Sequence, residues 1–340
     1  MSLGAAPLQC FERAKSCGLE LVSPDKTARR DRLAAIAAAL AAMLFATKGI
    51  FAKQLYSMGV SVEALVTIRA TLAVPLFWWL ALRREPLAAI GRTPPSAVLA
   101  AAIAGALCYY VGALLDFHAL TMIDASIERV LIFSYPAMVV LFTSIRDRRR
   151  PSARVLGAVG LAYLGIFFTM GGFDLVELRA NLVGALLVIG SALTYAVYFI
   201  ISEKYTRLMG SARFTVVAMS TSATCLLVHF MLIGGAAQLP TISTPAWGLL
   251  LLIAVVCMFL PAQLQAEGVR QIGAQRGAVL STVGPPTTVV LAWFLLGERL
   301  SGWQWAGIAL IVLGILVLDL ARDQAASHAA PSPPRSSSNA

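Results

Sequence analysis

Charge is scarce in this sequence. Of 340 residues only 13% are Asp, Glu, Lys or Arg, about half the ~25% of an ordinary soluble domain, so a fully solvated surface is excluded. Five cysteines and three histidines form no Cys-x-x-Cys and no Cys/His cluster of metal-ligand spacing, which excludes a disulfide framework and a zinc module. Cys108, Cys225 and Cys257 lie inside apolar runs and read as small apolar fillers, while Cys10 and Cys17 lie in the N-terminal segment. No Gly-x-x-x-x-Gly-Lys-Ser/Thr run is present, so the chain carries no ATP-driven motor of its own. His-Glu-x-x-His and Gly-x-Ser-x-Gly are absent too, and Glu128 alone cannot supply the constellation of a membrane-embedded enzyme. The first 30 residues hold no apolar core of signal-peptide length, and this segment is expected to remain on the mature protein.

What is abundant is apolar surface, at 59% of residues. A helix crosses a hydrocarbon core of about 30 Å with roughly 20 apolar residues. Runs bounded by charge or Gly/Pro predict ten spans, over 33–53, 63–82, 96–116, 124–145, 153–170, 182–202, 214–234, 246–266, 276–296 and 302–319. Residues 1–31 are mixed and polar. Residues 320–340, rich in Ala, Ser and Pro, read as a disordered tail.

The net charge of +10 would suggest nucleic acid in a soluble chain. Here the basic residues fall in the gaps between apolar runs. With both termini in the cytoplasm, all but six of the 27 basic residues lie in inward loops and tails. The exceptions are Lys53, Arg179 and Arg299 in outward loops and Lys48, Arg69 and Arg129 at membrane depth. The charge therefore sets orientation, and no nucleic-acid partner is expected.

An internal repeat is visible. AKQLYSMG from Ala52 matches EKYTRLMG from Glu203, pairing Lys53, Met58 and Gly59 with Lys204, Met209 and Gly210 at an offset of 151. Pro136 pairs with Pro286 at an offset of 150, as does Gly157 with Gly307. Two halves of five spans each follow. Because five is odd, the second half enters the membrane from the opposite side, the inverted architecture from which many secondary transporters build a central site.

Two stretches carry a family resemblance. DFHALTMIDASIERVLIFSYPAMVVLF from Asp116 and GAQRGAVLSTVGPPTTVVLAWFLLGERLSGWQWAGIALIVLGILVL from Gly273 resemble the repeat unit of EamA-type transporters of the drug/metabolite transporter superfamily. The resemblance covers about residues 33–318. It implies a ten-span carrier of the bacterial inner membrane, many such carriers being exporters of amino acids, nucleobases or other small metabolites, with spans 5 and 10 in a peripheral supporting role. The first half departs from the pattern: Ile145-Arg146-Asp147-Arg148 stands where the second has Gly-Glu-Arg-Leu, ending at Leu300.

Ionisable groups at membrane depth each cost at least about 2.5–3.5 kcal/mol and need a partner or a wet cavity. Lys48 lies about 15 residues into span 1, roughly 22 Å along it. Arg69 lies in span 2, and Glu128 and Arg129 open span 4. If their faces converge, three cations and one carboxylate leave an excess positive field for a substrate carboxylate. A purely structural Glu128–Arg69 pair and a Lys48 that snorkels to the headgroups are the competing readings. Pro136 and the Pro285-Pro286 pair interrupt spans 4 and 9 at corresponding positions. They free carbonyls near Ile132 and near Ser281 and Thr282, and such paired breaks point to a binding site. Tyr195 near the middle of span 6, Tyr198, Tyr110 and Gln263 are polar groups that can meet substrate or a neighbouring helix. His118 and His229 are lone imidazoles. Gly157, Gly160, Gly165, Gly307 and Gly314 are expected to allow close packing of spans 5 and 10.

The expectation is an all-α polytopic membrane protein of ten transmembrane helices in two inverted five-helix repeats, residues 32–172 and 180–319. It binds no cofactor and no metal, meets a small-molecule substrate and the lipid bilayer, and exists as a monomer or homodimer. A secondary transporter working by alternating access explains the features together, with a passive channel, or a membrane-embedded enzyme, as the alternatives.

Overall fold

A computed structural model of the chain describes residues 24–84, 93–146, 148, 153–169, 172–264 and 283–329, and among these every regular element is helical. The first span is a jointed rod, α1 (Pro24–Ala46) and α2 (Lys48–Ser57), with the joint at Thr47. Then come α3 (Val62–Arg84), α4 (Pro95–Gly105), and a π-helical segment Ala106–Gly112 that leads into α5 (Ala113–Ala119). The fourth rod is broken into α6 (Ala125–Ile132) and α7 (Tyr135–Arg146). After α8 (Ala153–Thr169) come α9 (Leu175–Met209), α10 (Ser211–Leu232) and α11 (Thr244–Leu252), the last continued by a π-helical segment Ile253–Phe259. The described chain ends with α12 (Gly284–Leu296) and α13 (Gly302–Ala329).

Seven rods among the described residues are long and apolar enough to cross a membrane: 35–57, 62–83, 95–119, 125–143, 178–209, 211–232 and 244–264. Three shorter helices, α8, α12 and the Gly302–Gly314 part of α13, stand at the places of the other expected spans. The surface and interior are built as lipid requires. Large apolar side chains such as Leu99, Val176, Leu232 and Phe294 point outward, while many of the fully buried positions are alanines, among them Ala52, Ala64, Ala101, Ala192 and Ala196. Where the surroundings are as greasy as leucine, close packing of small residues holds helices together.

The duplication is antiparallel. Thr67 of α3 donates to the Leu226 carbonyl of α10 at 3.4 Å and Trp78 to Ser220 at 2.9 Å, so the second and seventh rods run in opposite directions. The fifth and tenth do likewise, with Gly165 facing Ile311, Thr169 facing Gly307 and Gly172 facing Trp303. Other details repeat as well: the π-helical segments fall in the third and eighth rods, and the matched Gly59 and Gly210 have φ of +81° and +83°. A positive φ strains any residue with a Cβ, which accounts for glycine at both turns.

The helix break in the fourth rod falls at Phe133-Ser134, two residues ahead of Pro136, which sits in the first turn of α7. Proline is tolerated there because the first-turn N–H groups have no intrahelical partner. Pro285 and Pro286 hold the equivalent place in α12.

A Cβ on Gly307 would collide with backbone of Thr169 and Gly165, whereas one on Gly157 would meet nothing within 4 Å. Gly307→Ala should therefore destabilise by about 1–3 kcal/mol through overpacking. Gly157→Ala should match or exceed the parent, since Ala gains about 0.8–1.0 kcal/mol of helix propensity. Thermal unfolding of the two variants in detergent checks the contrast.

Candidate functional site

The joint at Thr47 starts the site. A new helical segment begins with Lys48, and Gly49 lets it approach the fourth rod, since a Cβ there would lie 3.1 Å from that of Ala125. Lys48 Nζ then donates to Asp116 Oδ2 of α5 at 2.5 Å and to Glu128 Oε1 of α6 at 3.2 Å. Both carboxylates are almost fully buried, at 2% and 1% exposure. Burying an ion costs several kcal/mol unless an opposite charge and hydrogen bonds compensate it, so one ammonium holds together three rods. Asp116 Oδ1 remains buried without a hydrogen-bond partner.

Two guanidiniums flank this triad. Arg69 of α3 is buried and lies over the Phe117 ring, 4.4 Å from its centroid, while Lys48 Nζ lies 5.2 Å from the same centroid. Its Nη1 lies 3.8 Å from the Met258 thioether. Arg129 of α6 lies 5.1 Å from the Phe133 centroid and packs against the backbone of Gly284, the first residue of α12. Asp116 and the half-buried Tyr195 of α9 are electrostatic neighbours of both arginines. Cys257 Sγ completes the surroundings, 3.1 Å from Thr47 Oγ1. The first half supplies the charges, and α9, the eighth rod and α12 of the second half close around them.

One turn further towards the end of the bundle that carries Ser57 and Asp124, a second ionic junction joins the halves. Glu298, in the turn between α12 and α13, accepts from the backbone N–H of Ala125 at 2.9 Å, from that of Ser126 at 3.2 Å and from the Ser126 hydroxyl at 2.8 Å. Lys53 pairs with it at 3.2 Å and with Asp124 at 3.3 Å. Glu298 thus caps the N-terminus of α6, where the unpaired N–H groups and helix dipole favour a carboxylate. With Arg129 against Gly284 and Ala125 against Glu298, α12 runs antiparallel to the fourth rod.

Lys48, Arg69, Glu128, Arg129 and Tyr195 come together. Tyr198 does not join them: its ring packs edge-on to Tyr109 at 5.1 Å and against Phe214 at 5.7 Å. Tyr110 points elsewhere as well, its hydroxyl 3.0 Å from His229 Nδ1, beside a crevice of about 330 Å³ lined by Thr224, Cys225 and Val228. Gln263 is half-buried near the end of the eighth rod. Pro285 is buried and Pro286 exposed, while Ser281 and Thr282 lie outside the described residues. His118 pairs with Glu63 at 3.2 Å. Asp116 is the member the sequence did not single out. The expected third span stops there, whereas the helix continues to Ala119 and carries the acid a turn inside. Glu298 stood out in the sequence only as part of Gly-Glu-Arg-Leu. Nothing in its spacing told that it caps a helix 172 residues earlier.

The sequence profile of the EamA-like transporter family matches this chain twice, over residues 32–171 and 182–319. A Bacillus subtilis (strain 168) protein named "Uncharacterized transporter YcbK" is 35% identical over 266 residues, 77% of this chain and 85% of the relative. An "Uncharacterized transporter" of Archaeoglobus fulgidus is 24% identical over 194 residues, 57% of this chain and 67% of the relative. Among solved structures, one described as "Crystal structure of protein" superposes with a TM-score of 0.54 at 18% identity, covering 85% of this chain and 98% of that one. That likeness concerns the fold alone.

Replacing Lys48 by Met leaves two buried carboxylates without their cation and should cost about 3–5 kcal/mol. Adding Asp116→Asn and Glu128→Gln to Lys48→Met should recover part of that loss. Glu298→Ala strands three donors and should cost more than Lys53→Ala, whose partly exposed ion pairs are worth about 1 kcal/mol or less. Thermal unfolding in detergent ranks the four proteins.

Proposed function

The chain belongs to the EamA-like transporter family, and on that premise we propose that it is a secondary transporter that exports a small polar metabolite, such as an amino acid, by alternating access. The observation that carries this reading is the cluster of Lys48, Asp116, Glu128, Arg69 and Arg129, in which Asp116, Glu128 and Arg69 are buried and Lys48 and Arg129 half-buried, enclosed by rods from both antiparallel halves. Charges inside a membrane bundle are expensive and mark substrate or ion pathways. A site shared by two inverted halves is exposed to one side or the other as the halves rock.

The positive-inside bias sets the orientation. Both termini face the cytoplasm of the bacterial inner membrane, and the turns at Ser57, Asp124 and Glu298 face outward. The Glu298–Lys53–α6 junction then ties the two halves together on the outer side, and the cluster beneath it is occluded. Opening outward requires this junction to part. Solute or ion gradients supply the drive, because the chain has no nucleotide-binding loop.

Cells with and without the protein, compared for the metabolites they retain and excrete, give the solute. Proteoliposomes then test the mechanism. The expected result is saturable flux with counterflow and no chemical change, reduced at least about tenfold in Lys48→Ala and Arg69→Ala proteins that still fold. Linear flux without counterflow identifies a passive channel, conversion of the solute identifies an enzyme, and parental transport by both variants removes the cluster from the pathway.

A further inference from the structure

We infer that the cargo of this site is an organic anion whose carboxylate is received by the Arg69 guanidinium, an assignment that rests on the transporter reading above. The charges around the site do not balance. Among the described residues three cations face two carboxylates, and Lys48 pairs with both carboxylates. Protonation of either acid only enlarges the positive excess. Among the described residues no carboxylate lies within ion-pair distance of Arg69, and its Nε is buried without an acceptor. It is 8% exposed. Seven residues beyond the start of α3, it sits about 10 Å along the rod, too deep for simple escape to the interface.

The side chains in contact with Arg69 do not discharge it, and Asp116, a carboxylate whose field it feels, is paired with Lys48 and not with Arg69. The Phe117 face and the Met258 sulfur are soft, weak partners. A desolvated cation–π contact supplies about 2 kcal/mol, less than the several kcal/mol that burial of an ion takes. A guanidinium is a rigid fork of donors that fits a carboxylate with two parallel hydrogen bonds. A ring face and a thioether leave that fork unsatisfied, and an incoming carboxylate satisfies it. The same excess charge repels a cationic solute, and a neutral one leaves it uncompensated. Arg129, also with an unpartnered Nε, adds to the field from the side of α12.

The test uses the full-length protein in detergent and a matched set of probes: propionate and 3-phenylpropionate as anions, 3-phenylpropanamide as neutral, phenethylamine as cation and L-phenylalanine as zwitterion. The expected result is that at least one of the two anions raises the melting temperature by about 3 °C or more at saturation, while amide and amine do not. Arg69→Gln should abolish that shift, and Arg69→Lys should retain part of it. Without probe, Arg69→Gln should be at least as stable as the parent, because it removes an uncompensated buried charge. The inference is overturned if neither anion shifts the parent, if the amide, the amine or L-phenylalanine outperforms both anions, or if Arg69→Gln keeps the shift. A clear loss of stability in probe-free Arg69→Gln also overturns it, since that identifies a structural role. A carrier that moves a neutral or cationic solute in counterflow defeats the anion assignment and leaves the transporter reading standing. Anion binding by a protein that moves no solute does the reverse.

Discussion

A charge inside a bundle that lipid surrounds has to be matched by another charge, and in this protein the matching is done by Lys48. Its ammonium sits between Asp116 and Glu128 and so draws the first, third and fourth rods to one point. The joint at Thr47 and the missing side chain of Gly49 are what let the rods come that close. Arg69 and Arg129 are then arranged around a knot already tied, held by aromatic faces and a thioether. The triad depends on the small residues that bring the backbones together, and the arginines take their places beside it.

The antiparallel duplication explains how the second half takes part. Its counterpart helices run opposite to those of the first half, so the turn after α12 arrives at the same end of the bundle as the start of α6. Glu298 uses that coincidence. A carboxylate from one half satisfies the open N–H groups at a helix start in the other, and that same helix carries Glu128 and Arg129 into the cluster. A single helix of eight residues thus carries both the contact with Glu298 and the charges of Glu128 and Arg129.

The sequence disclosed the rods and the repeat because both are local or periodic signals. Apolar length, the matching glycine turns at Gly59 and Gly210 and the paired prolines at Pro136 and Pro286 all lie in short windows. Lys48, Arg69, Glu128 and Arg129 stood out because a charge in an apolar run is conspicuous. Asp116 was given no site role because the expected span ended at it, three residues short of the end of the helix. Tyr195 stood out by its mid-span depth, with Tyr198 and Tyr110 as further polar groups inside spans, yet helix rotation turned Tyr198 towards Tyr109 and Phe214 and Tyr110 towards His229.

The sequence by itself determined the class of the molecule: helices of membrane-spanning length in a duplicated, oppositely oriented arrangement, with a few ions placed where lipid forbids isolated ones. Those properties follow from composition and spacing along the chain. Only the tertiary structure decided which acid meets which base, that Lys48 takes both Asp116 and Glu128 while Arg69 is left to Phe117 and Met258, and that Glu298 serves the opposite half. These depend on the rotation and depth of each rod against its neighbours, and packing between residues distant in sequence sets both.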